Sequence, residues 1–182
     1  MIVPEPYYVE RIPSPVGPLL MIADQSGVVC VLEFHDMSDR WRPVIARRFA
    51  DATMKEEPGA FGHAATLARY FDGDIEAIDS IATDGQGTEF QRTVWTALRT
   101  IPAGKTLSYG ALAKQIGKPA AMRAVGLANG ANPIAIVVPC HRVIGSDGSL
   151  TGYGGGLERK RWLLAHEARH ACDGLFKKVK RS

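Results

Sequence analysis

A thiol and an imidazole stand side by side in Pro139-Cys140-His141-Arg142-Val143, and that pair is the raw material of nucleophilic catalysis. The thiolate is the attacking species, and a histidine can favour it near neutral pH when a carboxylate orients the ring. Adjacency alone does not establish the pair, because a cysteine ending an apolar run is more often a small core residue. Successive side chains on a strand point to opposite faces. A working Cys140 and His141 therefore demand a bend or helical turn at that point, which Pro139 could supply. Metal chemistry is not supported: Cys30, Cys140 and Cys172 are widely spaced without a CxxC pair, and His35, His63, His141, His166 and His170 show no ligand spacing with them. No metal and no cofactor are expected. The odd cysteine count also argues against a disulfide framework and for a reducing compartment.

These residues need elements to hold them. From Tyr7 to Phe34 the runs YYVERI, PLLMIA and VVCVLEF, separated by SPVG and DQSG, predict a β-meander. Trp41, Val44, Ile45 and Phe49 recur at helical spacing among arginines, predicting an amphipathic helix that covers one sheet face. A second helix is expected over about His63 to Phe71. The acidic stretch from Asp74 to Gly87 is the candidate linker. Beyond it, Thr88 and Gln91 form a capping-box signature, and Phe90, Val94, Leu98 and Ile101 trace an apolar stripe ended by Pro102-Ala103-Gly104. Ser108 is the expected N-cap of a short helix through Ile116, and Ala120 to Asn129 reads as another, so the two suggest a helix-turn-helix. An extended run IAIVVPCHRVIG, a Gly-rich segment and a last helix from about Leu157 to Ala168 complete the chain.

The chain has 182 residues, 46% of them hydrophobic, which suits one domain or two small ones and excludes general disorder. Its apolar runs fall far short of the roughly 18 residues of a membrane span. The N-terminus, with Glu5, Glu10 and two prolines, lacks the pattern of a signal peptide. A cytoplasmic protein is expected. Net charge is only +3, but Arg159, Lys160, Arg161, Arg169, Lys177, Lys178, Lys180 and Arg181 crowd the last quarter.

PCHRVIGSDGSLTGYGGGLERKRWLLAHE, FQRTVWTAL, SYGALAKQIG and AMRAVGLANGANP occur in one order. In this the chain resembles the O6-alkylguanine-DNA alkyltransferases, closely over Gly87 to Glu167 and more loosely over Tyr7 to Phe71. The resemblance implies that Cys140 accepts the alkyl group, that His141 is its base through a water, and that Glu167 orients His141. It makes Tyr109 the proton donor to the departing guanine, Arg123 the finger that fills the gap left by the flipped base, and Asn132 the hinge before the cysteine segment. Ala124 and Ser108 fall with the DNA-binding residues, and Val138, Tyr153 and Gly154 with the base pocket. Gly154 stands where some members have serine, so an amide must replace that hydroxyl. Ala135 replaces an expected proline. Without the resemblance Glu167 would read as a solvated helix residue, Tyr109 as a packing aromatic and Arg123 as a phosphate contact.

The fold implied is α+β: a ribonuclease-H-like N-terminal domain over 1–84, a winged-helix domain over 85–170 and a basic tail over 171–182. The implied partner is double-stranded DNA bearing O6-alkylguanine, with O4-alkylthymine beside it, bound in the minor groove by a monomer. Sulfur's product is a thioether that water does not cleave, so each molecule would act once. Two rivals stand: a lesion-binding regulator without transfer, against which Cys140 argues, and a Cys-His-Glu hydrolase, which needs an oxyanion hole and leaves the helix-turn-helix unexplained. GYGGG lacks the spacing of a phosphate cradle.

Overall fold

The computed structural model describes the backbone of residues 6–179 and the side chains of 6–37 and 41–171. Three strands form the expected meander, β1 (Tyr7–Ile12), β2 (Leu19–Ala23) and β3 (Val29–Phe34), paired antiparallel in sequence order. A short β4 (Met54–Glu56) adds parallel to β1, so the sheet runs β3-β2-β1-β4. The sequence hides β4 because all three of its side chains are exposed and only its backbone pairs. β2 and β3 are buried throughout, since both sheet faces are covered. Helix α1 (Ser38–Arg48) and Phe49 pack over Ile22, Cys30 and Val31, and Leu19, Met21, Leu32 and Phe34 join the main core on the other side.

Helix α2 (His63–Phe71) lies where expected, buried through Leu67 and Tyr70. The stretch read as a linker is packed chain instead. Ile75, Ala77, Ile78 and Ile81 are core residues, and Arg99 ties it down through the carbonyls of Asp79 and Ile81 and the hydroxyl of Thr83. Its charges misled the sequence reading, for they alternate with isoleucines that point inward.

The second half begins with α3 (Glu89–Arg99), whose capping box forms as read: the Thr88 amide donates to Gln91 Oε1 at 2.9 Å and the Gln91 amide to Thr88 Oγ at 3.3 Å. A two-residue parallel ladder of β5 (Leu107–Ser108) and β6 (Val143–Ile144) leads into α4 (Tyr109–Gln115), capped by Ser108. A 3₁₀ turn at Pro119–Ala121 precedes α5 (Met122–Gly130). Trp95 bolts α3 to α5 by donating to the Ala128 carbonyl at 2.9 Å. Helix α6 runs Leu157–Val179, a longer helix than the apolar pattern ending near Ala168 suggested, so backbone read as basic tail is helical to 179, and Lys180 and Arg181 lie outside the described residues. No helix among the described residues is long and apolar enough to cross a membrane.

The expected strand before Cys140 is a knot of tight turns. Ile136 is fully buried with φ of 70°, and the Val137 amide bonds the Ala135 carbonyl while that of Val138 bonds Ile134. An isoleucine in the left-handed region is strained and persists only when its surroundings dictate it. Asn132 supplies that constraint: its amide donates to the carbonyls of Val138 at 2.8 Å and Ile134 at 3.3 Å, and its Oδ1 accepts from the Ile134 amide at 3.0 Å. β3 clamps the same turn, with the Leu32 amide bonded to the Pro133 carbonyl at 2.9 Å and the Ala135 amide to the Leu32 carbonyl at 2.7 Å. The apolar run lacks the period 2 of a strand, and the Asn132 side chain, which bonds both of its ends, folds it into turns. Asn132→Ala is expected to lower stability by about 2 kcal/mol, because it strands buried backbone groups; urea unfolding followed by tryptophan fluorescence measures it.

Candidate active site

Cys140–Arg142 forms one 3₁₀ turn following Pro139, the bend that the adjacent thiol and imidazole require. Cys140 is 7% exposed and lines a cavity of about 600 Å³ between α4, α5 and the loop 151–155. His141 turns inward and is fully buried.

The ring of His141 meets Glu167, on α6, at 2.8 Å between Nε2 and Oε1. Arg142 grips the same carboxylate in a fork, Nη2 to Oε1 and Nε to Oε2, both 2.9 Å, while its Nη1 donates to the Ile101 carbonyl at 2.6 Å. Tyr70 donates its hydroxyl to Oε1 at 2.8 Å, and the Gly104 amide reaches Oε2 at 3.3 Å. Burial by itself would raise the Glu167 pKa, yet His141 and Arg142 outweigh it and hold the carboxyl well below the usual range. An ionised Glu167 accepts a hydrogen bond from Nε2–H, which leaves Nδ1 of His141 as the basic nitrogen. That Nδ1 is buried and has no hydrogen-bond partner among the described residues.

The other expected residues divide. Tyr109, Arg123, Asn132, Tyr153 and Gly154 line the Cys140 cavity. Tyr109 opens α4, and its hydroxyl lies 3.5 Å from Thr151 Oγ1. Arg123 and Ala124 are exposed on α5, and Ser108 caps α4 through the Ala111 amide at 3.2 Å. Val138 faces a separate, smaller cavity, and its carbonyl is already held by Asn132 and by the Cys140 amide at 2.8 Å. Gly155 is required by packing: a Cβ there would lie 2.3 Å from Phe34 Cε2, so the pocket loop can rest on the sheet only without a side chain.

Sequence reasoning missed four contributors. Arg142 and Tyr70 complete the Glu167 cluster. His166 stacks on Trp162 at 4.9 Å and donates to the Tyr70 carbonyl, holding that tyrosine in place. Lys160 is fully buried, donating to the carbonyls of Val143 at 2.6 Å and Thr151 at 2.7 Å, and so ties the pocket loop to the strand after Cys140. Burial lowers its pKa, and Cys140 acts in the opposite direction. Arg142 stood inside the PCHRV motif and Lys160 inside a run of basic residues, where only the fold separates buried charges from solvated ones.

The low pKa of Glu167 is a statement about stability. Its stabilising effect is complete above the ordinary glutamate value of 4.5 and is lost as pH falls below it. Acid titration of the unfolding free energy is expected to show this loss in the native chain. Glu167→Gln should lack that component and be less stable at neutral pH by about 3 kcal/mol, because Arg142 is then buried without a counter-charge.

The family model for the 6-O-methylguanine DNA methyltransferase DNA-binding domain matches residues 89–169. The methylated-DNA–protein-cysteine methyltransferase of Salmonella typhimurium is 48% identical over 162 residues, 87% of this chain and 94% of the relative. That of Mycolicibacterium paratuberculosis is 52% identical over 163 residues, 89% and 93% of the two chains. Among solved structures, Mycobacterium tuberculosis OGT in complex with DNA is 46% identical, covers 90% of this chain and 94% of its own, and superposes with a TM-score of 0.74. With a cysteine at a cavity wall beside a histidine bonded to a buried carboxylate, and with this similarity along nearly its whole length, the chain belongs to the methylated-DNA–protein-cysteine methyltransferase family.

Proposed function

We propose that this chain repairs O6-alkylguanine, and O4-alkylthymine beside it, in duplex DNA by direct reversal, moving the alkyl group to its own Cys140. The observation that carries the proposal is the junction at one 3₁₀ turn of a cavity-lining thiol and a buried imidazole hydrogen-bonded to Glu167. His141 Nδ1 takes the thiol proton through one water. The sulfur pair then attacks the alkyl carbon, a carbon–sulfur bond forms and the carbon–O6 bond breaks, its electrons passing into the guanine ring. Tyr109 gives the ring a proton, and neutral guanine leaves. The buried ammonium of Lys160 favours the thiolate over the thiol. Nothing in this sequence restores the thiol, and none of its steps calls for a metal or cofactor.

The target base lies inside the duplex and must be flipped out. Arg123, exposed at the cavity rim, fills the gap; Ala124 and Ser108 lie along the DNA, which α5 meets from the minor groove; Tyr153 and the Gly154 amide hold the base. Asn132 acts as the joint between α5 and the nucleophile turn. The Val138 carbonyl, held twice within the protein, is assigned a framework role. The relative solved with DNA supports the partner, and the meander with its parallel fourth strand supports a ribonuclease-H-like N-terminal part buttressing a winged-helix part that starts near residue 85.

Intact-mass measurement after exposure to duplex DNA containing O6-methylguanine should show one CH₂ equivalent per molecule and no more, mapped to Cys140. Cys30 should stay unlabelled, because burial pushes its thiol up to about 11. Repeated turnover, or label on another cysteine, would refute the proposal. Cys140→Ala is expected to abolish transfer while retaining DNA binding.

Two further variants separate flipping from chemistry. Arg123→Ala should slow reaction with duplex DNA by about 100-fold, a few kcal/mol of unstacking being left uncompensated, while sparing free O6-benzylguanine. Tyr109→Phe should slow both substrates by about 100-fold, because guanine protonation belongs to the chemical step. Single-turnover rates for both substrates distinguish the roles.

A further inference from the structure

Tyr70 is fully buried on α2 and is gripped at two points by consecutive residues of α6. Its hydroxyl donates to Glu167 Oε1 at 2.8 Å across 97 positions of sequence, and its carbonyl accepts from His166 Nε2 at 2.8 Å. The rings of Phe71 at 5.2 Å and His166 at 5.3 Å close its sides edge-on. A tyrosine that only filled the core would need some acceptor for its hydroxyl, and any carbonyl would serve. This hydroxyl is aimed instead at the one oxygen that also receives His141 Nε2–H, again at 2.8 Å.

Oε1 carries a third donor, Arg142 Nη2 at 2.9 Å. Three donors divide the negative charge of one oxygen, and the share left for His141 depends on the other two. Arg142 is always a cation and is anchored to the Ile101 carbonyl, so its part is constant. On α6 itself no further anion intervenes: burial lowers the His166 pKa, and Arg169 is exposed. The Gly104 amide serves the other oxygen, and Tyr153 meets the His141 ring edge-on at 6.4 Å. We infer that Tyr70 is a positioning residue of the transfer reaction: by taking part of the Oε1 charge it limits how strongly Glu167 draws His141 into its doubly protonated form, and so keeps Nδ1 open to the thiol proton. Burial, reinforced by Glu167, pushes the Tyr70 pKa well above its usual value, so the hydroxyl remains a donor throughout. The inference rests on the base role of His141 proposed above, and it brings α2, from the first half of the chain, into the chemistry.

Tyr70→Phe removes the hydroxyl and keeps the ring. The single-turnover rate with free O6-benzylguanine is measured from about pH 5 to 8, the range in which an imidazole titrates. A free base reports the chemical step without DNA binding. Lacking the Tyr70 donor, Oε1 holds the imidazolium more strongly, so the acid limb of the profile is expected to move to higher pH by about one unit, the scale of one charge-assisted hydrogen bond. 3-Fluorotyrosine placed at position 70 alone, a stronger donor of nearly the same shape, should move the limb to lower pH. A packing role would change the plateau and leave the limb in place. An unmoved limb in either folded chain, or a displacement in the opposite direction, would overturn the inference, and if Tyr70→Phe does not fold the fluorotyrosine chain decides. Benzyl transfer by the unmodified chain reports separately on the proposed function: its absence would withdraw both, whereas transfer with an unmoved limb withdraws only the role of Tyr70.

Discussion

Five donors converge on one buried carboxylate, that of Glu167, and the active site is organised around it. The imidazole of His141, two nitrogens of Arg142, the Tyr70 hydroxyl and the Gly104 amide come from three separate parts of the chain. A buried charge is costly unless its partners are complete. The arrangement therefore tolerates little displacement of any contributor, and this rigidity is what fixes the His141 ring and leaves Nδ1 basic. One interaction thus ties the α2 helix, the break after α3, the nucleophile turn and α6 together.

Around this centre the two halves of the chain share a single hydrophobic core, from Ile12 on the sheet to Leu163 on α6. The meander contributes more than apolar cover. β3 lends its backbone to the turn before Cys140, and Phe34 carries the glycine loop of the pocket. Strain at Ile136 is held by these contacts and by Asn132, so the position of Cys140 depends on a strand more than a hundred residues earlier in the chain.

Much of this was legible because the motifs are local. PCHRV holds the proposed nucleophile and base, the capping box at Thr88 marks a helix start, and the Ser108 cap marks the first helix of the expected helix-turn-helix. The demand for a bend at Cys140 followed from strand geometry alone, and a 3₁₀ turn meets it. The reading of Ile134 to Val138 as a strand and of Asp74 to Gly87 as a linker failed for a shared reason. Composition reports hydrophobicity and charge, but not which backbone groups find partners, and in both segments distant anchors, Leu32 and Arg99, decide the conformation.

By itself, then, the sequence determined which groups are proposed to react and the helices around them, since side-chain chemistry and capping act within a few residues. Only the tertiary structure decided which charges are buried. Arg142, Glu167 and Lys160 look like any surface ions in the chain, and Tyr70 like any core aromatic. Their roles arise when elements far apart in sequence exclude water from between them, because a carboxylate or an ammonium orients its neighbours strongly only where solvent no longer competes for it.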